Sequence, residues 1–425
     1  MRQRTRLSVG ALLTMALVLT GLVLRRREVL ALALPLLVYT GALALAGLWT
    51  VGPRLVVSRR LESHRLQEDT PLQVTLTIRN EGRSVPFLGC TDLVPASVGV
   101  IDGQRSCLSP LAAGETASIS YAVRPARGEH VFRCASVICF GPLALPGSEL
   151  ELPCEDRVFV LPRVENLEEI DIRPRQTRVY SGTVRANLGG VGTDFFGCRD
   201  YAPGDDVRRI NWRVYARRDT LVVNEHEQER IADVSVILDA RERANLRLGE
   251  PGPFTYCVRA AASLAVHFLA AGNHVGLLIY GDLLDWTYPG YGRTQRERIL
   301  DALARANPVD KVVFEDLRHI PTRLFPPRSQ LVVVSPLCDQ DDVEVLGTLR
   351  ARGYQIILVS PNPFTLALAT PTPEHALALR ILRLRRVLLL STLAGIGVQV
   401  VDWDLNQPLA WPVAHLLSRH GRRGR

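Results

Sequence analysis

The chain of 425 residues contains a single lysine, Lys311, so nearly every cation in it is an arginine. That bias follows from base composition as readily as from a need for fork-shaped donors. Zinc-type spacing is missing too. The eight cysteines, at 90, 107, 134, 139, 154, 198, 257 and 338, include no Cys-x-x-Cys. Five of them fall between residues 90 and 154, an odd number for a closed disulfide set, which points to reduced, buried thiols. No Gly-x-Ser-x-Gly elbow surrounds Ser235, and no Gly-Lys-Ser/Thr follows Gly189, Gly190 and Gly192. Cys198 lies beside Arg199 but has no evident base to make it a nucleophile. A basic domain is lacking as well. The first 60 residues hold nine arginines against one acid, Glu28, and four arginines (419, 422, 423 and 425) sit at the other end. The body between is net acidic, which excludes a surface that tracks a nucleic-acid backbone. Basic ends beside apolar segments point to a membrane surface instead.

What is present begins with two apolar runs. Residues 7–24 carry no charge, Arg25-Arg26-Arg27-Glu28 interrupts, and residues 29–51 supply a second run. Each is long enough to cross a hydrocarbon core, so residues 1–52 read as a transmembrane helical hairpin with spans 7–24 and 29–51. A cleaved signal peptide is the competing reading of the first run, with Arg2, Arg4 and Arg6 as its basic end. The length of the run and the second apolar segment favour the hairpin. Arg2, Arg4, Arg6, Arg54, Arg59 and Arg60 outnumber the three arginines of the turn, which places both ends and the following body in the cytoplasm of a multi-pass cell-membrane protein.

Residues 53–161 are strand-like. The segments PLQVTLTIR (71–79) and ASISYAVR (117–124) alternate apolar and polar residues, with turns between, and imply a β-sandwich of immunoglobulin-like type. Residues 162–230 read as a linker, basic and then glycine-rich at 189–192, followed by a dense segment over 193–229. From residue 231 to 425 strands and helices alternate. The expected strands include 233–238, 274–280, 331–335, 354–360 and 397–403; the helices include 254–271, 294–306, 341–352 and 374–393. Such alternation makes a parallel sheet covered on both faces, closed here by a basic tail. Arg380, Arg383, Arg385 and Arg386 argue against the last helix crossing a membrane.

The dense segment TDFFGCRDYAPGDDVRRINWRVYARRDTLVVNEHEQE holds six arginines and four acids between Arg199 and Asp219, interleaved with Tyr201, Trp212 and Tyr215. That density implies fixed bidentate ion pairs and ring stacking. A Pro203-Gly204-Asp205-Asp206 turn leads into a short helix that Asp205 or Asp206 caps. Arg199-Asp200-Tyr201, Gly204-Asp205, Arg208-Arg209-Ile210-Asn211-Trp212 and Ala216-Arg217 resemble the signature of the bacterial domain-of-unknown-function 58 family. The resemblance implies a membrane hairpin and a β-rich segment before the signature, and an α/β von Willebrand factor A-like (Rossmann-type) domain after it. It also implies a partner, a MoxR-type AAA+ ATPase, for which A-domain proteins act as adaptors.

In von Willebrand A domains an Asp-x-Ser-x-Ser motif at the first strand end holds Mg²⁺ through oxygen. Here that position reads Asp239-Ala240-Arg241-Glu242-Arg243, with arginine in place of both serines. Thr294 and Asp339 are the remaining candidates for the set. The site is therefore expected to be degenerate, holding no cofactor, with Asp239 paired to Arg241, Arg243 or an arginine of the signature. His226 between Glu225 and Glu227 reads as a strand-edge residue. The resulting expectation is a non-catalytic, membrane-anchored scaffold whose signature residues Arg199, Tyr201, Gly204, Asp205, Arg208, Trp212 and Arg217 either meet a protein partner or brace the fold. Two alternatives stand beside it: a Mg²⁺-dependent adhesion module centred on Asp239, and a nucleotide-binding enzyme using the 189–192 glycines.

Overall fold

The computed structural model describes residues 2–49, 54–140, 146–167, 178–244, 251–281, 284–308, 325–326, 329–337, 340–366 and 373–414. Asp339, Cys338, Lys311, the linker residues 168–177 and the basic tail lie outside them. The chain divides into two compact units, Met1–Val160 and Leu161–Arg425.

The first unit opens with helices α1 (Arg2–Val23) and α2 (Arg27–Trp49), joined by a turn in which Arg25 takes a left-handed conformation at φ 48°. They meet through small residues. A β-carbon added at Gly10 would lie 2.7 Å from Thr40 Cγ2, and one at Gly21 would lie 2.9 Å from Leu30 Cγ. Thr14, Thr20 and Thr40 donate their hydroxyls to carbonyls one turn back, at 2.7, 2.6 and 2.9 Å. Leu12, Leu13, Leu19, Leu32 and Leu34 face outward. Among the described residues, no helix is long and apolar enough to cross a membrane.

Nine strands follow: β1 (Leu55–Leu61), β2 (Arg65–Gln67), β3 (Leu72–Asn80), β4 (Val85–Asp92), β5 (Val98–Gly103), β6 (Ser106–Leu111), β7 (Thr116–Pro125), β8 (Gly128–Phe140) and β9 (Pro146–Leu161). They form a four-stranded sheet, β1-β3-β7-β5, and a five-stranded one, β2-β9-β8-β4-β6. Strand β3 shows why the sequence folds so. Leu72, Val74, Leu76 and Ile78 are buried on one face and pack with Phe132, Val137 and Val158 of the other sheet. A buried polar network ties the two sheets. Arg59 Nε and Nη2 donate to Asp92 at 3.0 and 2.6 Å, and Tyr121 Oη donates to Asp92 Oδ2 at 2.6 Å. Burial alone would lower the Arg59 pKa, but the hydrogen bond to Asp92 and its charge raise it. The seven cysteines among the described residues are free thiols, and burial pushes Cys90 up to about 12.

The second unit begins with a two-stranded antiparallel ribbon, β10 (Arg178–Asp200) and β11 (Val222–Ile231), joined through a short helix α3 (Trp212–Arg218). The glycines expected in a flexible arm thus belong to a strand: Gly189 pairs with Glu227 and Gly190 with His226. No helix opens beyond them to cradle a phosphate, because the strand continues to Asp200.

A six-stranded sheet is built from β12 (Asp233–Asp239), α4 (Pro253–Ala270), β13 (His274–Tyr280), β14 (Leu284–Gly290), α5 (Gly292–Arg305), β15 (Gln330–Val334), α6 (Asp341–Ala351), β16 (Gln355–Pro361), α7 (Pro373–Gly395) and β17 (Gln399–Trp403). Its order is β14-β13-β12-β15-β16-β17, parallel throughout except for the antiparallel edge strand β14. Alternate residues feed two cores. Val234, Val236 and Leu238 pack beneath α4, whereas Ile237, Leu331 and Val333 pack with Leu346 and Leu393 from α6 and α7. Burial on both faces explains the uninterrupted apolar strands. The order reverses between β12 and β15, where a sheet of this kind opens a crevice at its carboxyl ends.

Candidate functional site

The excursion between β10 and β11 carries the signature residues. It is stapled to β11 at both feet: Tyr201 N–H donates to Leu221 O at 2.9 Å, and Asn211 N–H donates to Val222 O at 2.8 Å. Gly204 occupies φ 109°, a region that disfavours any side chain, which explains glycine in the turn. Asp205 follows and becomes the hub. Arg199 grips it with both terminal nitrogens at 2.6 Å each and reaches Glu225 with Nε at 2.8 Å. Asp205 also accepts from the Ala202 N–H at 2.8 Å. The hydrogen bonds from Arg199, then from Ala202, draw the Asp205 carboxyl down to about 2, and the same pairing raises the Arg199 pKa.

Asp206 caps the next turn by accepting from Arg208 N–H at 3.0 Å. Asn211 caps α3 through Val214 N–H at 3.1 Å and also donates to Asn224 at 2.8 Å. Inward, Ile210, Val222 and Val223 are buried. Outward, Trp212 is 58% exposed, and Val207, Tyr215 and Leu221 are exposed too. Trp212 and Tyr215 meet edge to face, with centroids 6.1 Å apart at 89°. The guanidinium groups of the signature do not all share one environment. Arg199 is bound as expected, whereas Arg208, Arg213, Arg217 and Arg218 are exposed. These exposed arginines and the exposed Trp212–Tyr215 pair together make an outward ledge on this segment.

At the carboxyl ends of the sheet a second cluster is fully buried. Arg241 donates to Asp239 through Nε at 2.9 Å and Nη2 at 2.8 Å, and Nη2 also reaches Asp342 Oδ2 at 2.9 Å. Ser335 Oγ donates to Asp239 Oδ2 at 2.7 Å. Asp342 comes from the first turn of α6, where a carboxylate is favoured by the helix dipole. Burial works against the Arg241 charge; Asp239 and then Asp342 outweigh it and raise the pKa. The guanidinium therefore stands where a divalent ion would need the Asp239 oxygens. Arg241, one of the partners expected for Asp239, is found in place, and the Arg243 side chain lies outside the described residues.

Thr294 is not part of this cluster. It is exposed near the start of α5, just after Gly290, which pairs with Val275 at the amino end of β13; Asp239 pairs with Tyr280 at the carboxyl end. The reason is β14, which runs back across the sheet before α5 begins. Asp342 and a neighbouring plug were not foreseen. In that plug Arg386 of α7 donates to Asp402 at 2.8 Å and to Ser360 Oγ at 2.8 Å, closing the ends of β16 and β17. The Asp341-Asp342 pair opening a helix was the available signal. Among the described residues no group of three or more His, Cys, Asp or Glu is placed to hold a metal ion.

Residues 197–363 match the family described as protein of unknown function DUF58. The matched stretch starts just before Arg199 and runs through β16, so it includes both the ledge and the Asp239 cluster. A curated relative, the uncharacterized protein YeaD of Bacillus subtilis, is 26% identical over 216 residues, which is 48% of this chain and 52% of that protein. The chain thus spans about half the length of the curated relative it matches. Among solved structures, the CARDB domain of the PF1109 protein from Pyrococcus furiosus is 13% identical with a TM-score of 0.19, covering 25% of this chain and 93% of that one. A non-cellulosomal cohesin from Archaeoglobus fulgidus is 9% identical with a TM-score of 0.18, covering 25% and 91%. Likenesses this slight carry no argument.

Proposed function

We propose that the chain is a non-catalytic, membrane-anchored adaptor that offers its signature ledge to a protein partner. The ledge carries the reading. Trp212 is held out on a platform whose turn is fixed by Arg199 and Asp205, and Trp and Arg are the residue types that dominate interface energies. A rigid base under an exposed aromatic lowers the ordering cost of binding. The family resemblance points to a MoxR-type AAA+ ATPase as that partner, with the body in the cytoplasm. The anchor reading is supported by small-residue helix contacts, self-satisfied threonines and outward leucines in α1 and α2, the features that suit helices packing in lipid. The β-sandwich is read as an immunoglobulin-like spacer. The six-stranded sheet, with its antiparallel edge strand, is read as von Willebrand A-like.

The rival Mg²⁺-dependent adhesion module meets a guanidinium on both Asp239 oxygens. The rival nucleotide enzyme meets glycines engaged in strand pairing. Co-expression of the chain with a MoxR-type ATPase tests the proposal. Trp212→Ala should reduce recovered ATPase at least tenfold, in line with loss of an aromatic hot spot worth about 2 kcal/mol or more, while circular dichroism stays unchanged. Recovery at full strength removes the ledge as the contact.

A further inference from the structure

Strands β4 and β6 set two thiols face to face. Cys90 of β4 lies directly opposite Cys107 of β6 in their antiparallel register. Both side chains turn to the sandwich core, Cys90 buried and Cys107 half-buried. The type of pair follows from a neighbour. Asp92 N–H donates to Arg105 O at 2.9 Å, and hydrogen-bonded pairs recur at every second position of such a ladder. Cys90 and Cys107 are therefore a hydrogen-bonded pair with α-carbons about 5.5 Å apart, inside the range of about 4.4–6.8 Å that a disulfide spans. Burial, and then the nearby Cys107, push the Cys90 thiol up to about 12. Cys139 of β8 is less well placed. It stands opposite Leu88, whereas Val137 stands opposite Cys90, so it is a diagonal neighbour about 7–8 Å away and beyond that range.

We propose that Cys90 and Cys107 are a redox-active dithiol, oxidised by a low-molecular-weight disulfide to a reversible bridge that staples β6 to β4. Cys107 is the entry point, because it is half-buried and belongs to the last strand of its sheet. Its thiolate attacks one sulfur of the small disulfide; that S–S bond breaks and one small thiol leaves with the proton Cys107 gave up. Cys90 then loses its proton and attacks Cys107 Sγ, expelling the second small thiol. Two protein thiols are oxidised and one disulfide is reduced to two thiols, so no other reactant is needed. The second step is the slow one, since buried Cys90 is rarely a thiolate. Ease of reversal follows from the ladder. The β-carbons of a hydrogen-bonded pair stand about 5.5 Å apart, wider than the roughly 4 Å of a relaxed bridge, and a strained bond is readily reduced. Once closed, the bridge adds a covalent tie to a strand whose neighbour in the sheet order is β4.

The test treats the full-length chain in zwitterionic nanodiscs with oxidised glutathione, quenches with acid and an alkylating agent, and maps the peptides by mass. A glutathionyl adduct on Cys107 should appear first and give way to a Cys90–Cys107 bridge, the chain then lighter by two hydrogens. Excess reduced glutathione should restore both thiols. Cys90→Ser should hold the reaction at the Cys107 adduct, and Cys107→Ser, at the half-buried position, should slow oxidation of Cys90 at least tenfold. Amide exchange in β6 of the wild-type chain should slow on oxidation and recover on reduction. A Cys107 adduct that never gives way to a bridge would overturn the proposal, as would a bridge from Cys90 to Cys139 or a bridge that reduced glutathione fails to open.

Discussion

Replacing Arg241 with alanine removes a counter-charge shared by two fully buried carboxylates, Asp239 and Asp342. Three side-chain hydrogen bonds depend on it, including the tie between the end of β12 and the start of α6. Removing one partner of a buried ion pair costs about 3–5 kcal/mol, chiefly because the remaining charge has no compensation. Because two buried carboxylates lose the same guanidinium, Arg241→Ala falls toward the upper part of that range. For a unit of this size each kcal/mol moves the midpoint by about 2–4 °C, so a fall of roughly 6–20 °C is expected. Near-UV circular dichroism of the full chain is a suitable assay, since Trp212, Trp286, Trp403 and Trp411 all belong to the second unit. The vacated space would sit between two carboxylates and the Ser335 hydroxyl, all oxygen donors suited to a hard cation. Millimolar Mg²⁺ should therefore recover part of the loss in Arg241→Ala and leave the wild type unmoved. A fall below about 2 °C, or an equal response of both proteins to Mg²⁺, would refute the reasoning.

Two further outcomes follow from the polar networks. Tyr121→Phe deletes a hydrogen bond to the buried Asp92 and should cost about 1.5–3 kcal/mol, seen as faster amide exchange in β3 and β7; unchanged protection would mean the network contributes nothing. The folded pKa of Asp205, about 2, lies below its ordinary 3.8, so the Arg199–Asp205 tie is fully present above about pH 4 and lost as pH falls through about 2. Fluorotryptophan at position 212 should report that loss with a midpoint near 2, and a midpoint near 4 would contradict it.

Much of the α/β unit was legible because both faces of its sheet are buried. Strands β12 and β13 appear in the sequence as unbroken apolar runs, and their expected limits match to within a residue. Strand β14 was not legible: Asp285, Pro289 and Gly290 break any apolar pattern in an edge strand held by backbone pairing. The same cause hid β10, whose glycines read as an arm until β11 is placed beside it. Charge density was a coarse guide in the signature, since counting arginines and acids does not reveal that Asp205 serves as hub for Arg199 while Arg208, Arg213, Arg217 and Arg218 are exposed. The pairing of Asp239 with Arg241 was readable from the letters at 239–243. Its second carboxylate was not, because Asp342 lies 101 residues away along the chain.

The central claim is that the Asp239 oxygens at the carboxyl end of this sheet are held by Arg241 in place of an ion. Isothermal titration of Mg²⁺ into the wild-type chain tests it most directly. The account expects no saturable heat at millimolar ion. Stoichiometric binding that disappears in Asp239→Ala would contradict it.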